Sequence, residues 1–170
     1  MRQHLLFLVT TICIIGAVSR IALAEPPTIH LARDGKALLT VTTGPKASAV
    51  VKAAAEDLAT YLGRMSGSEF KVQAGDGSAG IVIGQPKDFE KLPIAIEFGS
   101  GPFEREDYLL RSHDRSLYLL SASDQAVSHA VWDLLHRLGY RQFFPGDTWE
   151  VVPQLGEIKI AIDKRESPSF

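Results

Sequence analysis

The segment GPKASAVVKAAAEDLATYLGRMSG, residues 44 to 67, does most to limit what this chain can fold into. Val50, Ala54, Leu58, Tyr61, Leu62 and Met65 recur at the helical period, while Lys52, Glu56 and Thr60 fall on the opposite side. Pro45 suits the first turn of such a helix and Gly67 the position just past its end. A helix with one apolar stripe must lay that stripe on a second layer. The rest of the chain should therefore supply a sheet.

The candidate strands are legible on both sides of it. TIHLAR (28–33) and ALLTVTT (37–43) read as a pair around the turn Asp34-Gly35. EFKVQ (69–73) and GIVIG (80–84) follow, and the continuously apolar second run belongs near the middle of a sheet. Residues 85–104, rich in Pro and Gly, read as a surface connection. EDYLLRSH (106–113) and SLYLLSAS (116–123) form a hairpin about Asp114-Arg115. A second helix over 124–138 should bury Val127, Val131, Leu134, Leu135 and Leu138 and end at Gly139, with His136 and Arg137 in its last turn. WEVVP and EIKIAID (157–163) complete the set, the latter alternating as a half-buried strand does. This order predicts an α+β fold, an α/β sandwich: a mixed sheet of about six to seven strands with both helices on one face.

Residues 1–24 stand apart. A short basic start, the apolar run LLFLVTTICIIGAV and the small residues Ala22 to Ala24 have the layout of a secretory signal peptide cut after Ala24. The apolar run is shorter than the roughly 20 residues that span a bilayer. A secreted or periplasmic protein with no membrane attachment after cleavage is the expectation. Cleavage removes Arg2, Arg20 and no acid, so the 18 basic and 20 acidic residues become 16 against 20 and the net charge goes from −2 to −4. That balance, with no basic tract, argues against nucleic acid. The lone cysteine, Cys13, leaves with the leader, so the domain from residue 25 onward has no thiol or disulfide chemistry and must rely on core burial.

Several local patterns suggest chemistry and are better read as structure. Gly77, Gly80 and Gly84 bracket the strand IVI, whereas a dinucleotide fingerprint opens a helix. In GRMSG the serine, Ser66, is one place late for a nucleophile elbow and closes a helix. His129, Asp133 and His136 share one helical face, opposite the apolar stripe, and read as a solvated face with no metal. Glu104, Glu106 and Asp107 are an acidic cluster, but neighbours on one strand point to opposite faces and cannot flank a glycosidic bond. No cofactor is implied.

The stretch LGYRQFFPGDTWEVVP, residues 138–153, is the densest run of unusual residues. Tyr140, Arg141, Phe143, Phe144, Asp147 and Trp149 have the chemistry of a sugar-binding subsite or a domain interface. Packing is the competing account. In it the two phenylalanines cover the end of the second helix, Pro145-Gly146 turns the chain, Trp149 seals the core edge, and Arg141 pairs with Asp147 or Glu150.

This corner resembles the N-terminal domain of secreted bacterial glycoside-hydrolase-like proteins, similar to that of α-glucuronidases and more distantly to that of β-N-acetylhexosaminidases. The matching residues are Leu138-Gly139, Arg141, Phe143-Phe144, Pro145-Gly146 and Glu150 to Pro153. AAAEDLATYLGRMSG looks like the family's first helix, IVIG its central strand, and EDYLL to VWDLL its hairpin and second helix. Gln142 stands where the family usually has tryptophan, and Gln125-Ala126 where it usually opens with glycine. The resemblance implies an accessory domain at residues 25–163, with 164–170 the start of a linker to a catalytic TIM-type barrel. It implies that this chain alone is not catalytic, while its parent hydrolyses O-glycosyl bonds. The alternative is a stand-alone carbohydrate-binding module that holds a polysaccharide on the 138–153 aromatics.

Overall fold

The computed structural model describes residues 25–167, so the leader and Cys13 lie outside the described residues. In chain order the elements are β1 (Ile29–Arg33), β2 (Lys36–Ala37), β3 (Val41–Thr43), α1 (Ala49–Ser66), β4 (Val72–Ala74), β5 (Ile81–Gly84), β6 (Tyr108–His113), β7 (Ser116–Ser121), α2 (Asp124–Arg137), β8 (Arg141–Gln142), β9 (Glu150–Val151), β10 (Glu157–Ile160) and β11 (Asp163–Glu166). Six strands form a mixed sheet in the order β11-β6-β7-β5-β3-β4. Strands β4, β3, β5 and β7 run parallel, while β6 and β11 are antiparallel to their neighbours. A three-stranded sheet, β10-β1-β2, and the short pair β8-β9 complete the α+β fold.

Both helices are capped by their sequence. The Ser48 hydroxyl accepts from the Val51 amide, and that of Ser123 from the Ala126 amide. Gly67, at φ +69°, ends α1 in the left-handed conformation, with its amide on the Gly63 carbonyl. Pro45 precedes this start instead of entering the first turn, because Ser48 takes the cap and residues 44–47 form a separate turn. The buried stripe of α1 begins at Val51, while Val50 is exposed. Adjacent valines lie about 100° apart on a helix, and only one can face the sheet.

Strand alternation divides the core into two layers. Val41, Ile81, Ile83, Leu110, Leu117 and Leu119 meet the helices on one face. Val82, Leu109, Tyr118 and Leu120 point to the other. The helices cannot serve both faces, so residues 85–104 are more than a surface connection. Phe89 and Ile94 are buried from that segment, and Leu92, Ile96 and Phe98 pack beside them over the second face. Two glycines admit Phe89: a Cβ on Gly77 (φ +87°) would lie 2.7 Å from its Cβ, and one on Gly84 (φ +150°) 3.3 Å from its ring.

Two expected strands are each divided between the sheets. In ALLTVTT, Ala37 pairs with β1 together with the preceding Lys36 across the Asp34-Gly35 turn, and Val41–Thr43 crosses to the six-stranded sheet. In EIKIAID, Glu157–Ile160 pairs with β1, and the chain then bends so that Asp163–Glu166 pairs with β6. Residues 164–166, read from sequence as the start of a linker, thus form most of an edge strand. Replacing Phe89 with alanine should lower stability by about 3 kcal/mol. A urea titration that finds a loss below about 1 kcal/mol would show that this segment does not seal the second face.

Candidate functional site

The corner at 138–153 is built in two parts, with opposite fates for its side chains. Its base is anchored. Tyr140, which follows Gly139 (φ +102°), is almost fully buried. Its hydroxyl donates to Glu150 Oε1 at 3.0 Å. The Tyr61 hydroxyl donates to the same oxygen, and Arg64 Nη1 donates to Glu150 Oε2 at 2.9 Å. The Glu150 side chain is only 6% exposed, so this carboxylate is buried and held by three donors. Tyr61, Trp132 and Tyr140 pack edge-on or tilted, with centroids 4.9 to 5.4 Å apart, and His136 stacks on Tyr140 at 5.9 Å.

Backbone contacts extend the anchor. Gln154 Nε2 donates to the Arg64 carbonyl, and the Leu155 amide to that of Met65. The segment after the corner therefore satisfies the last carbonyls of α1. Arg141 Nη1 donates to the carbonyls of His136 and Tyr140, both at 2.6 Å, and so caps the end of α2. The expected pairing of Arg141 with Glu150 is corrected by this arrangement, while the Asp147 side chain lies outside what is described. Glu150 already accepts from two phenols and a guanidinium, while the end of α2 offers Arg141 the His136 carbonyl with the favourable dipole.

The tip is exposed. β8 and β9 pair through Arg141 with Val151 and Gln142 with Glu150, and the Phe143 amide donates to the Trp149 carbonyl. Gly146, at φ +108°, turns the chain beyond them. Phe143 is 66% exposed, Phe144 62%, Trp149 51% and Val151 49%. The phenylalanines therefore do not cover the second helix, and Trp149 does not seal the core edge. Tyr140 and Trp132 already fill that edge. Phe144 and Trp149 meet edge to face at 5.2 Å and 69°. Asp147 lies in the turn of Asp147–Trp149 at the end of the tip.

Sequence reading thus found Tyr140 and Arg141, which hold the corner, and Phe143, Phe144 and Trp149, which project from it. It missed Tyr61 and Arg64. Their signal is faint: a tyrosine and an arginine three apart at the end of a helix can share one buried acid, but nothing in the chain says that Glu150 supplies it.

The other candidates are engaged in structure. Asp107 is buried and accepts from Arg165 Nη2 at 3.2 Å, Glu106 lies 3.7 Å from His129 Nδ1, and Glu104 accepts from the Gly101 amide. The first two diverge, one toward β11 and the other toward α2. Asp133 is paired with Arg137 at 3.0 Å and His136 is stacked on Tyr140, so the three residues of that helical face each have a separate neighbour. The strand order reverses between β3 and β5, and ligands of open α/β sheets commonly bind outside the carboxyl ends at such a point. A crevice of about 220 Å³ lies there among Pro45, Lys46, Lys87 and Phe89. Beside it the Asp124 carboxylate accepts hydrogen bonds from Ser48 and Gln85, which hold it below its ordinary range.

No protein-family model and no curated protein matches the chain. Among solved structures it is similar to a family GH115 4-O-methyl-α-glucuronidase with specificity for decorated arabinogalactans, at TM-score 0.58 and 16% identity. The match covers 81% of this chain and 18% of that one. An N-acetyl-β-hexosaminidase of Streptomyces plicatus aligns at TM-score 0.43 and 18% identity over 76% of this chain and 23% of that one, too low a score to argue from. The fold is therefore like a segment of a glycoside hydrolase. This chain spans less than a quarter of either neighbour.

The anchor makes its own prediction. The Tyr61 hydroxyl, with Arg64 and Tyr140 behind it, outweighs burial and holds the Glu150 carboxyl below its ordinary 4.5. Burial and the neighbouring carboxylate hold both phenols above their ordinary 10.0. Stability from Glu150 is complete above about pH 4.5 and is lost as pH falls through its folded value, while that from the phenols is lost as pH climbs through theirs. Glu150→Ala should cost about 3 kcal/mol and flatten the acid limb of a stability profile. Trp149→Ala should stay within about 0.5 kcal/mol of the parent. Equal losses in chemical denaturation would merge the two halves of the corner into one.

Proposed function

We propose that this chain is a non-catalytic accessory domain of a secreted carbohydrate-active enzyme, a glycoside hydrolase of the α-glucuronidase kind, and that it supports a catalytic barrel. The observation that carries the proposal is the fold match, which takes in 81% of this chain and 18% of a 4-O-methyl-α-glucuronidase. A (β/α)₈ barrel takes about 250 residues, and this chain has 170. Near the corner the Glu150 carboxylate is spent on two phenols and Arg64, and away from it Asp107 is bonded to Arg165. A hydrolytic pair needs two carboxyls facing one another across the scissile bond. The leader-like residues 1–24 support export, and the chemistry would then lie in a neighbouring domain.

A second reading has its own support in the exposure of Phe143, Phe144 and Trp149, which could stack on a polysaccharide. Two measurements separate the readings. The chain alone should release no nitrophenol from aryl glycosides and no 4-O-methylglucuronic acid from decorated arabinogalactan or xylan, and turnover lost on denaturation would sink the accessory role. Titration with uronic-acid-bearing xylan fragments should leave tryptophan fluorescence flat. Saturable quenching that disappears in Trp149→Phe would favour the binding module.

A further inference from the structure

Seven large apolar side chains are exposed among the described residues, and four of them, Phe143, Phe144, Trp149 and Val151, sit on the β8-β9 hairpin. The clustering is not forced by the fold. The hairpin's footing is secured by Tyr140, Arg141 and Glu150, so the tip could carry any turn sequence without loss to the core. A rigid base under an apolar tip lowers the ordering cost of binding, because little freedom is left to lose.

Area indicates what covers it. An aromatic side chain contributes about 150 to 250 Å² when fully exposed, so these fractions leave roughly 400 Å² of apolar surface across the cluster. A matching face would bring the contact to about 800 Å² in total. Interfaces between free partners need about 1,600 Å², whereas contacts between domains of one chain begin near 600 Å². A second copy of this chain would be held too weakly, but a tethered domain needs no more, since the link supplies a high local concentration. Ring geometry points the same way. Phe144 and Trp149 stand 69° apart and form a wedge, with no shared flat face for a sugar ring. Arg141, bonded to two neutral carbonyls, stands at the foot of the wedge and sets a basic point on its rim, while the charge of Arg64 is met by Glu150.

From this we infer that residues 143–151 are a docking wedge for a neighbouring domain of the same polypeptide, one that offers an apolar cleft with an acidic rim. The inference rests on the accessory-domain reading and adds the surface through which support is given.

Backbone hydrogen exchange tests it, comparing the polypeptide as the producing cell secretes it with the 170-residue chain alone. Amides of 143–151 should exchange at least tenfold more slowly in the secreted polypeptide. Phe143→Ser with Trp149→Ser should restore the rate of the isolated chain while leaving α1 and α2 protected. Phe144→Ser alone gives a milder version should the double variant be poorly secreted. If another face slows and the wedge does not, the wedge is wrong and the accessory role stands. If no face slows, or the secreted polypeptide ends at Phe170, both fail. Slowing in the isolated chain that grows with concentration, or on addition of xylan fragments, would assign the wedge to a second copy or to sugar and overturn the inference.

Discussion

A strand buried on both faces sets the terms for this molecule. Ile81, Val82 and Ile83 are all removed from solvent, so apolar side chains leave β5 in both directions and each side needs a cover. Two amphipathic helices of 18 and 14 residues supply one cover. With no third α-helix among the described residues, the other comes from a largely irregular segment with one short 3-10 turn at Pro86–Asp88. That requirement explains why Phe89, Ile94 and Phe98 occur in a segment otherwise rich in Pro and Gly, and why glycines stand where Phe89 comes close. Much of what looks like loop is the second wall of the core.

The corner after α2 faces a different constraint. Once the helices lie side by side, their C-terminal ends carry open carbonyls and must be closed by whatever follows. Residues 140–155 close both: Arg141 serves α2, Gln154 and Leu155 serve α1, and Glu150 joins Tyr61 to Tyr140. A buried carboxylate is expensive unless fully satisfied, and here three donors reach it, Tyr61 and Arg64 from α1 and Tyr140 from the corner itself. Packing of the corner is thereby complete with one of its four aromatic residues, Tyr140. Phe143, Phe144 and Trp149 remain outside.

Legibility from sequence followed the range of the interaction. Helix periodicity, the central strand and the turn at Asp114 (φ +51°) depend on near neighbours and could be read directly. The divided strands could not, because ALLTVTT and EIKIAID each look continuous while the geometry of two sheets cuts them. The choice between Val50 and Val51 turned on the exact seating of α1, which a period alone does not fix. At the candidate site the tip residues stood out by composition, yet their exposure did not. Glu150 meets Tyr61 and Arg64 across 89 and 86 positions, and no local pattern announces such a meeting.

The outermost strand has a consequence for how the protein keeps company. Sheet edges invite pairing with other chains, since their backbone groups are unfilled. β11 reads Asp163-Lys164-Arg165-Glu166 and lies at one edge of the six-stranded sheet, with Asp163 bonded to Arg111 and Arg165 to Asp107. An incoming strand would have to strip water from four charged side chains and disturb those bonds before gaining a single ladder contact. This edge is thus guarded against fusion with its own kind.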